Sequence, residues 1–323
     1  MTLGRFVEDE WLPARQDKIR PTTFTSHERT LAIHVLPRLG GVRLQRLEPE
    51  HLNRLYAELR EAGRLSPTSV RYVHVVLHKV LADAMRWGKV LRNVSDSVEP
   101  PRVTTTQRAE MATWTAPQLR QFLEHVRCDR LEAAWVLAAT TGMRRGEVIG
   151  LRWSDVDLDR RELIVRQTVV CIGNRAHLST PKTAKSARVV DLDPMTGGVL
   201  RAHRARQAEE RLGWGPAYSD TGLVFCRENG EMLTPAYVTR RFQVLSRQAE
   251  LPRIRLHDLR HTYATLSLQA GVRAEVVSRR LGHSRIAMTL DSYTHAVPAL
   301  QREEAERVAA LIFGNEIAVD SAR

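Results

Sequence analysis

Between Glu50 and Ala62 the apolar residues Leu52, Leu55, Tyr56 and Leu59 recur three and four apart. They fall on one face of a helix, which Gly63 closes. Ser66-Pro67 opens a longer helix with the apolar stripe Val70, Val73, Leu77, Val80, Leu81 and Ala84. Arg71, Lys79 and Arg86 punctuate its polar side, which suits either a solvated face or a surface turned toward DNA. From Asn93 to Thr113 the periodicity stops, and Pro100-Pro101, Thr104-Thr105-Thr106 and mixed charges make an extended linker. Thr115-Ala116-Pro117 then restarts a helical pattern with Thr115 as N-cap. Glu132 to Thr141 reads as a buried helix. Glu162 to Val170 and Ala187 to Leu192 read as strands, with Gly173-Asn174 and Pro181 in the connection, and helices dominate thereafter. No repeat of solenoid length interrupts the chain. The pattern predicts a mainly α protein with a small antiparallel β-sheet. Residues 1–98 form a helical domain, 99–113 a linker, and 114–323 a mixed α+β domain ending in a C-terminal helix.

Composition narrows the class. A chain of 323 residues with 43% hydrophobic and 27% charged content can bury two ordinary cores. No apolar run approaches the roughly twenty residues that span a bilayer, and the N-terminus lacks the layout of a secretion signal. Cys128, Cys171 and Cys226 are odd in number, widely spaced and without a CxxC pair, which speaks against a disulfide framework or a cysteine zinc site. A cytoplasmic, nucleoid-associated location is expected. The net charge of +12 attracts a polyanion, and nucleic acid is the polyanion such a protein most often meets. Of the 49 basic residues 44 are arginine; the five lysines are Lys18, Lys79, Lys89, Lys182 and Lys185. Arginine cannot give up its proton, whereas lysine can.

Three stretches carry candidate chemistry. In Thr140-Thr141-Gly142-Met143-Arg144-Arg145-Gly146-Glu147 an apolar helix ends at Gly142 and another starts with Arg144 in its first turn. Backbone N–H groups and a guanidinium then face one point, as phosphate binding requires. The plainer reading is a helix corner with a surface Arg–Glu pair. His257-Asp258-Leu259-Arg260-His261 sets His257, Arg260 and His261 on one helical face. The two histidines have zinc-like spacing, but the HExxH glutamate is missing and no third ligand is evident. A histidine and an arginine one turn apart suit a phosphate oxyanion better, with His261 structural. Leu281-Gly282-His283-Ser284 is a glycine-capped helix end followed by a histidine, and Tyr293 lies ten residues beyond it. A lone tyrosine is usually an ordinary aromatic; as a nucleophile it needs cationic partners around a phosphodiester.

Taken in order, TGMR-x-x-E, PKT, HDLRHT, LGHS and TLDSYTH resemble the catalytic domain of the tyrosine recombinases: phage integrases, Xer recombinases and the integrases of integrative elements. The segment Phe6-Val7-Glu8-Asp9-Glu10-Trp11-Leu12 and the turn Leu36-Pro37-Arg38-Leu39-Gly40 resemble that family's helical core-binding domain. The resemblance implies that Arg144 and Arg260 clamp the non-bridging oxygens of the scissile phosphate. It implies that His257 and His283 donate to the same oxygens, with His257 also helping to take the tyrosine proton. Glu147 falls at the supporting acidic position. Tyr293 attacks phosphorus to give a 3′-phosphotyrosine, and Lys182 protonates the departing 5′-hydroxyl, Lys185 being the weaker candidate. The implied reaction uses no metal and no nucleotide cofactor, because the ester's energy is kept in the protein–DNA bond. The implied partners are double-stranded DNA and further copies of the chain, in a homotetramer on synapsed sites, with room for accessory DNA-bending or directionality factors; no membrane is involved. The tail Pro298 to Phe313 resembles the C-terminal helix that docks on a neighbouring subunit. Many integrases carry an added N-terminal domain for distant arm sites; here the helices begin almost at Met1, which points to simple sites. The alternatives are a type IB-like topoisomerase, sharing the chemistry without strand exchange, and a non-catalytic DNA-binding regulator using the helix at His257.

Overall fold

The first hydrophobic positions of the chain wind into a helical run over 3–16, with wider π turns at Phe6–Trp11. Phe6, Val7 and Trp11 point inward from it and are fully buried. The computed structural model describes residues 1–102, 112–173, 175–180, 187–282 and 308–312. The chain divides into two units, Met1–Ala109 with Ile172–Asn174, and Glu110–Cys171 with Arg175–Arg323.

In the first unit the helical run over 3–16 packs with a second run over 21–39 and with the helices Pro49–Glu61 and Pro67–Arg86. The stripes expected on the latter two helices are the ones buried. Ser66 caps the longer helix, its hydroxyl accepting from Ser69 N at 3.2 Å. Asp83 is buried near the end of that helix; it accepts from Trp11 Nε1 at 2.8 Å and pairs with Arg15, so a charge inside the core is satisfied from the first helical run. On the polar side Arg71 and Arg86 are exposed. The aperiodic stretch after Asn93 differs from a plain extended linker at its start. Val94–Ser97 forms a 3₁₀ turn, and Val94 and Val98 are buried in this unit's core.

The second unit begins as its caps foretell. Thr115 accepts from Gln118 N at 3.4 Å while the Gln118 side chain accepts from Thr115 N at 2.9 Å, and the helix Ala116–His125 follows. Helix Glu132–Thr141 is buried as expected, and Trp114, Phe122, Trp135 and Phe242 pack ring to ring beside it. Strands β1 (Val156–Asp157), β2 (Glu162–Val165) and β5 (Arg188–Asp191) form an antiparallel sheet in the order β1-β2-β5, with Leu163 opposite Val190 and Val165 opposite Arg188. Strands β3 (Thr168–Ile172) and β4 (Arg175–Ser179) make a separate two-stranded sheet.

The run Glu162 to Val170, read as one strand, is therefore two. It breaks at Arg166-Gln167, where Gln167 Nε2 leaves the ladder to donate to Gly150 O at 2.6 Å. Strand β4, Arg-Ala-His-Leu-Ser, is exposed or half-buried throughout, and its two apolar positions, Ala176 and Leu178, are too few to mark a strand by themselves. Helices Pro194–Trp214, Pro235–Gln248, Asp258–Gln269 and Ala274–Leu281 complete the unit, the last two packing through Ala264, Leu268, Val277 and Leu281. The protein is thus mainly helical with small antiparallel sheets. Of the expected tail helix, residues 308–312 are described and helical. Among the described residues no helix is long and apolar enough to cross a membrane.

Candidate active site

Helix Glu132–Thr141 stops because Gly142 takes the left-handed conformation, φ 63°. A Cβ at Gly142 would lie 2.6 Å from both Leu281 Cδ2 and Tyr263 Cδ1, so the turn is pressed against the last two helices. The chain then enters the short helix Arg145–Ile149 with Arg144 at its N-cap, one position earlier than the expected first turn. Glu147 reaches back one turn. Its Oε2 accepts from Arg144 N at 2.9 Å, and its Oε1 accepts from Arg144 Nη1 at 2.9 Å.

Arg260 projects from helix Asp258–Gln269 and is only 3% exposed. Its Nη1 donates to Gly142 O at 2.9 Å and its Nη2 to Leu281 O at 2.8 Å. Arg144 Nη2 donates to the next carbonyl, Gly282 O, at 3.3 Å. The preceding one, Arg280 O, accepts from Arg188 Nε at 2.7 Å. Three consecutive carbonyls at the end of helix Ala274–Leu281 thus each receive a different arginine. Such carbonyls lack helical partners and sit at the negative end of the helix dipole, which draws cations there.

Arg188 also holds Glu147, donating from Nη2 to Oε2 at 2.9 Å and from Nη1 to Oε1 at 3.3 Å. The carboxylate therefore lies between two guanidinium groups. Burial pushes the Glu147 carboxyl up, but the hydrogen bonds and charges of Arg188 and Arg144 outweigh it and hold the group below the usual carboxylate range. Sequence reasoning missed Arg188. It lies in a stretch read as a strand, where an arginine passes for a surface residue, and nothing local marks it as buried.

His257 stands at the N-cap of the helix that carries Arg260. Its neighbour Asp258 is buried and pinned by Arg255, through N at 2.7 Å and Nη2 at 2.8 Å. The His257 and His261 rings meet edge to face at 5.2 Å. The His257 side chain retains solvent-accessible surface, yet the surrounding protein partly desolvates it. That desolvation, with repulsion from His261 and Arg260, lowers its pKa to about 4. His261 is half-buried and lowered too, first by burial. No group of three or more metal-ligating side chains gathers among the described residues.

Arg144, Glu147 and Arg260 are thus brought together around the end of helix Ala274–Leu281, and His257 starts the helix that bears Arg260. Lys182, Lys185, His283 and Tyr293 lie outside the described residues. The chain from Gly282, which takes the Arg144 hydrogen bond, leads directly into His283. The arrangement gathers three guanidinium groups, of which the Arg144 side chain is 40% exposed while those of Arg188 and Arg260 are buried; a hollow of about 780 Å³ on this unit, rimmed by Asp155 and Arg201, shares none of these residues. Two guanidinium forks suit a phosphate diester.

Residues 113–299 match the Phage integrase family, and residues 2–60 match the Phage integrase, N-terminal SAM-like domain. The chain belongs to the phage integrase family of tyrosine recombinases, enzymes that cleave and rejoin DNA. Among its relatives is a tyrosine recombinase XerC-like protein of Caldanaerobacter subterraneus subsp. tengcongensis, 29% identical over 314 residues, covering 92% of this chain and 80% of the relative. Solved structures share the fold. The Tn1549 transposon integrase in complex with a circular intermediate DNA superposes with a TM-score of 0.77 at 24% identity, over 96% of this chain and 100% of that one. A lambda integrase tetramer bound to a Holliday junction does so with a TM-score of 0.67 at 16% identity, over 88% and 78%.

Proposed function

We propose that this chain is a site-specific recombinase that integrates or excises a phage or mobile element by transesterification through a 3′-phosphotyrosine at Tyr293. The observation that carries the reading is the meeting of motifs distant in sequence. Arg260 bonds Gly142 O and Leu281 O, while Arg144 bonds Gly282 O, 138 residues further along the chain. A nucleophilic tyrosine needs such a cationic cradle, and the DNA-bound state of the Tn1549 integrase supports a DNA substrate.

In this reading Arg144 and Arg260 bind the non-bridging oxygens and meet the charge that grows on the phosphorane. His257 and His283 donate to the same oxygens. A pKa near 4 keeps His257 neutral around pH 7, with one N–H to donate and one lone pair to take the tyrosine proton. The tyrosine oxygen bonds phosphorus, the 5′-oxygen leaves, and Lys182 supplies its proton. Reversal by an incoming 5′-hydroxyl reseals the strand without ATP. Glu147 supports Arg144. The residues assigned to the chemistry call for no metal. Synapsis of two sites in a homotetramer follows the assembly in which lambda integrase holds a Holliday junction.

The test starts from duplexes that the protein selects from a randomised library. A nicked version of the selected site, losing the cleaved end by diffusion, should trap a protein–DNA adduct on a denaturing gel. Two intact sites should exchange strands. No adduct would make the protein a DNA-binding regulator, and an adduct without exchange would make it a topoisomerase.

A further inference from the structure

The buried carboxylate of Glu147 poses a problem for the site. Its side chain is 6% exposed, and Arg144 is its near neighbour on the same short helix. Left as the sole partner, a buried anion would draw the Arg144 guanidinium onto itself and cancel the charge a phosphate must feel, since a buried charge without compensation is strongly unfavourable. Arg188 changes this balance. Two guanidinium groups and one carboxylate leave a net charge of +1. The buried cation is Arg188, 7% exposed, whereas the Arg144 side chain is 40% exposed.

We propose that Arg188 is a positioning residue for catalysis: by neutralising Glu147 and bonding Arg280 O, it sets the place and the effective charge of Arg144. Its head group is held on every side. Both Glu147 oxygens and the Arg280 carbonyl accept from it, and a Cβ on Gly282 would come within 3.1 Å of its Nη1. Its backbone is fixed in turn by pairing with Val165 across the sheet. Arg188 thereby registers the sheet, the turn carrying Arg144 and the end of helix Ala274–Leu281 to one another. A lysine could keep the charge but not the three-way geometry. The inference rests on the reading of Arg144 as a phosphate clamp.

The test uses the full chain, the variants Arg188→Ala, Arg188→Lys and Arg144→Ala, and three forms of the selected nicked duplex. One has an ordinary scissile phosphodiester; one has a neutral methylphosphonate there; one has sulfur in place of the bridging 5′-oxygen. On the ordinary diester Arg188→Ala should form adduct about 10²-fold more slowly, the scale of a misplaced catalytic group, with half-site binding retained; Arg188→Lys should be intermediate. The methylphosphonate lacks the oxygen charge that the clamp meets, so the deficit of both Arg188 variants should largely vanish on it, as should that of Arg144→Ala. Sulfur eases departure of the leaving group only and should rescue none of them. Arg188→Lys decides the matter if the alanine variant fails to fold by thermal unfolding. Wild-type rates in the Arg188 variants, equal deficits on diester and methylphosphonate, or rescue by sulfur would each overturn the proposal. Failure of the methylphosphonate to rescue Arg144→Ala would instead overturn the clamp reading beneath it.

Discussion

Lys182 is where proton chemistry bears hardest on single residues. The chain places arginine at 44 of its 49 Lys and Arg positions, and arginine stays protonated throughout any accessible pH. A group that must hand a proton to the 5′-oxygen has to be able to lose it. Lys182→Ala should therefore slow cleavage by roughly the 10²–10⁴-fold of a lost general acid. On a duplex with bridging 5′-sulfur, whose leaving group needs little protonation, the variant should recover most of its rate. Arg144→Ala and Arg260→Ala should stay slow on that substrate, because the phosphorane charge is still unmet. Lys185→Ala should behave like wild type on both. Rescue of Lys185→Ala in place of Lys182→Ala would identify the wrong lysine, and rescue of neither would pass the role to His257.

At the level of elements, the turn at Gly142 joins the pieces of the site. A side chain there would have to adopt a φ of 63° and displace Leu281 and Tyr263. Gly142→Ala should cost about 1–3 kcal/mol of stability, as overpacking does, and should slow cleavage because Arg260 donates to the Gly142 carbonyl. Thermal and urea unfolding measure the first effect; a variant as stable as wild type would mean the turn is looser than described. The helices were legible because each shows its period and its caps locally: the Leu52–Leu59 face, the Ser66 and Thr115 caps, the buried Glu132–Thr141 run. The sheets were less so. The break at Gln167 goes with a hydrogen bond to a carbonyl 17 residues earlier, and β4 is a short strand that buries no side chain beside its partner β3. The candidate site divides in the same way. Arg144 and Glu147 share a helical turn and could be paired from their spacing, whereas Arg188 meets Glu147 across 41 positions and left no local trace.

Over the whole molecule, buried histidines set the response to acid. His203 is 3% exposed with its Nε2 2.7 Å from Val224 O, and burial lowers its pKa. Burial likewise lowers His27 and His74 in the first unit, and in the second partial desolvation lowers the half-buried His261 and the more accessible His257, the latter to about 4. In the unfolded chain these rings titrate near 6.5. Between that value and their lower folded values the unfolded state binds more protons, so stability falls as pH falls through this window. The lowered carboxyls of Asp83 and Glu147 add their loss only at more acidic pH, whereas Glu132, raised by burial, works in the opposite sense. The thermal midpoint should therefore be lower at pH 5 than at pH 7.5. A midpoint equal or higher at pH 5 would contradict the burial of these rings as neutral groups.

The central claim is that Tyr293 becomes covalently joined to DNA, and one variant addresses it without ambiguity. Tyr293→Phe removes a single oxygen and leaves the arginine cradle and the rest of the chain unaltered. On the nicked duplex selected by the wild-type protein, the variant should bind with unchanged affinity and yield no adduct on a denaturing gel, while the wild type accumulates one. An adduct formed by Tyr293→Phe at the wild-type rate would place the nucleophile elsewhere and contradict the account.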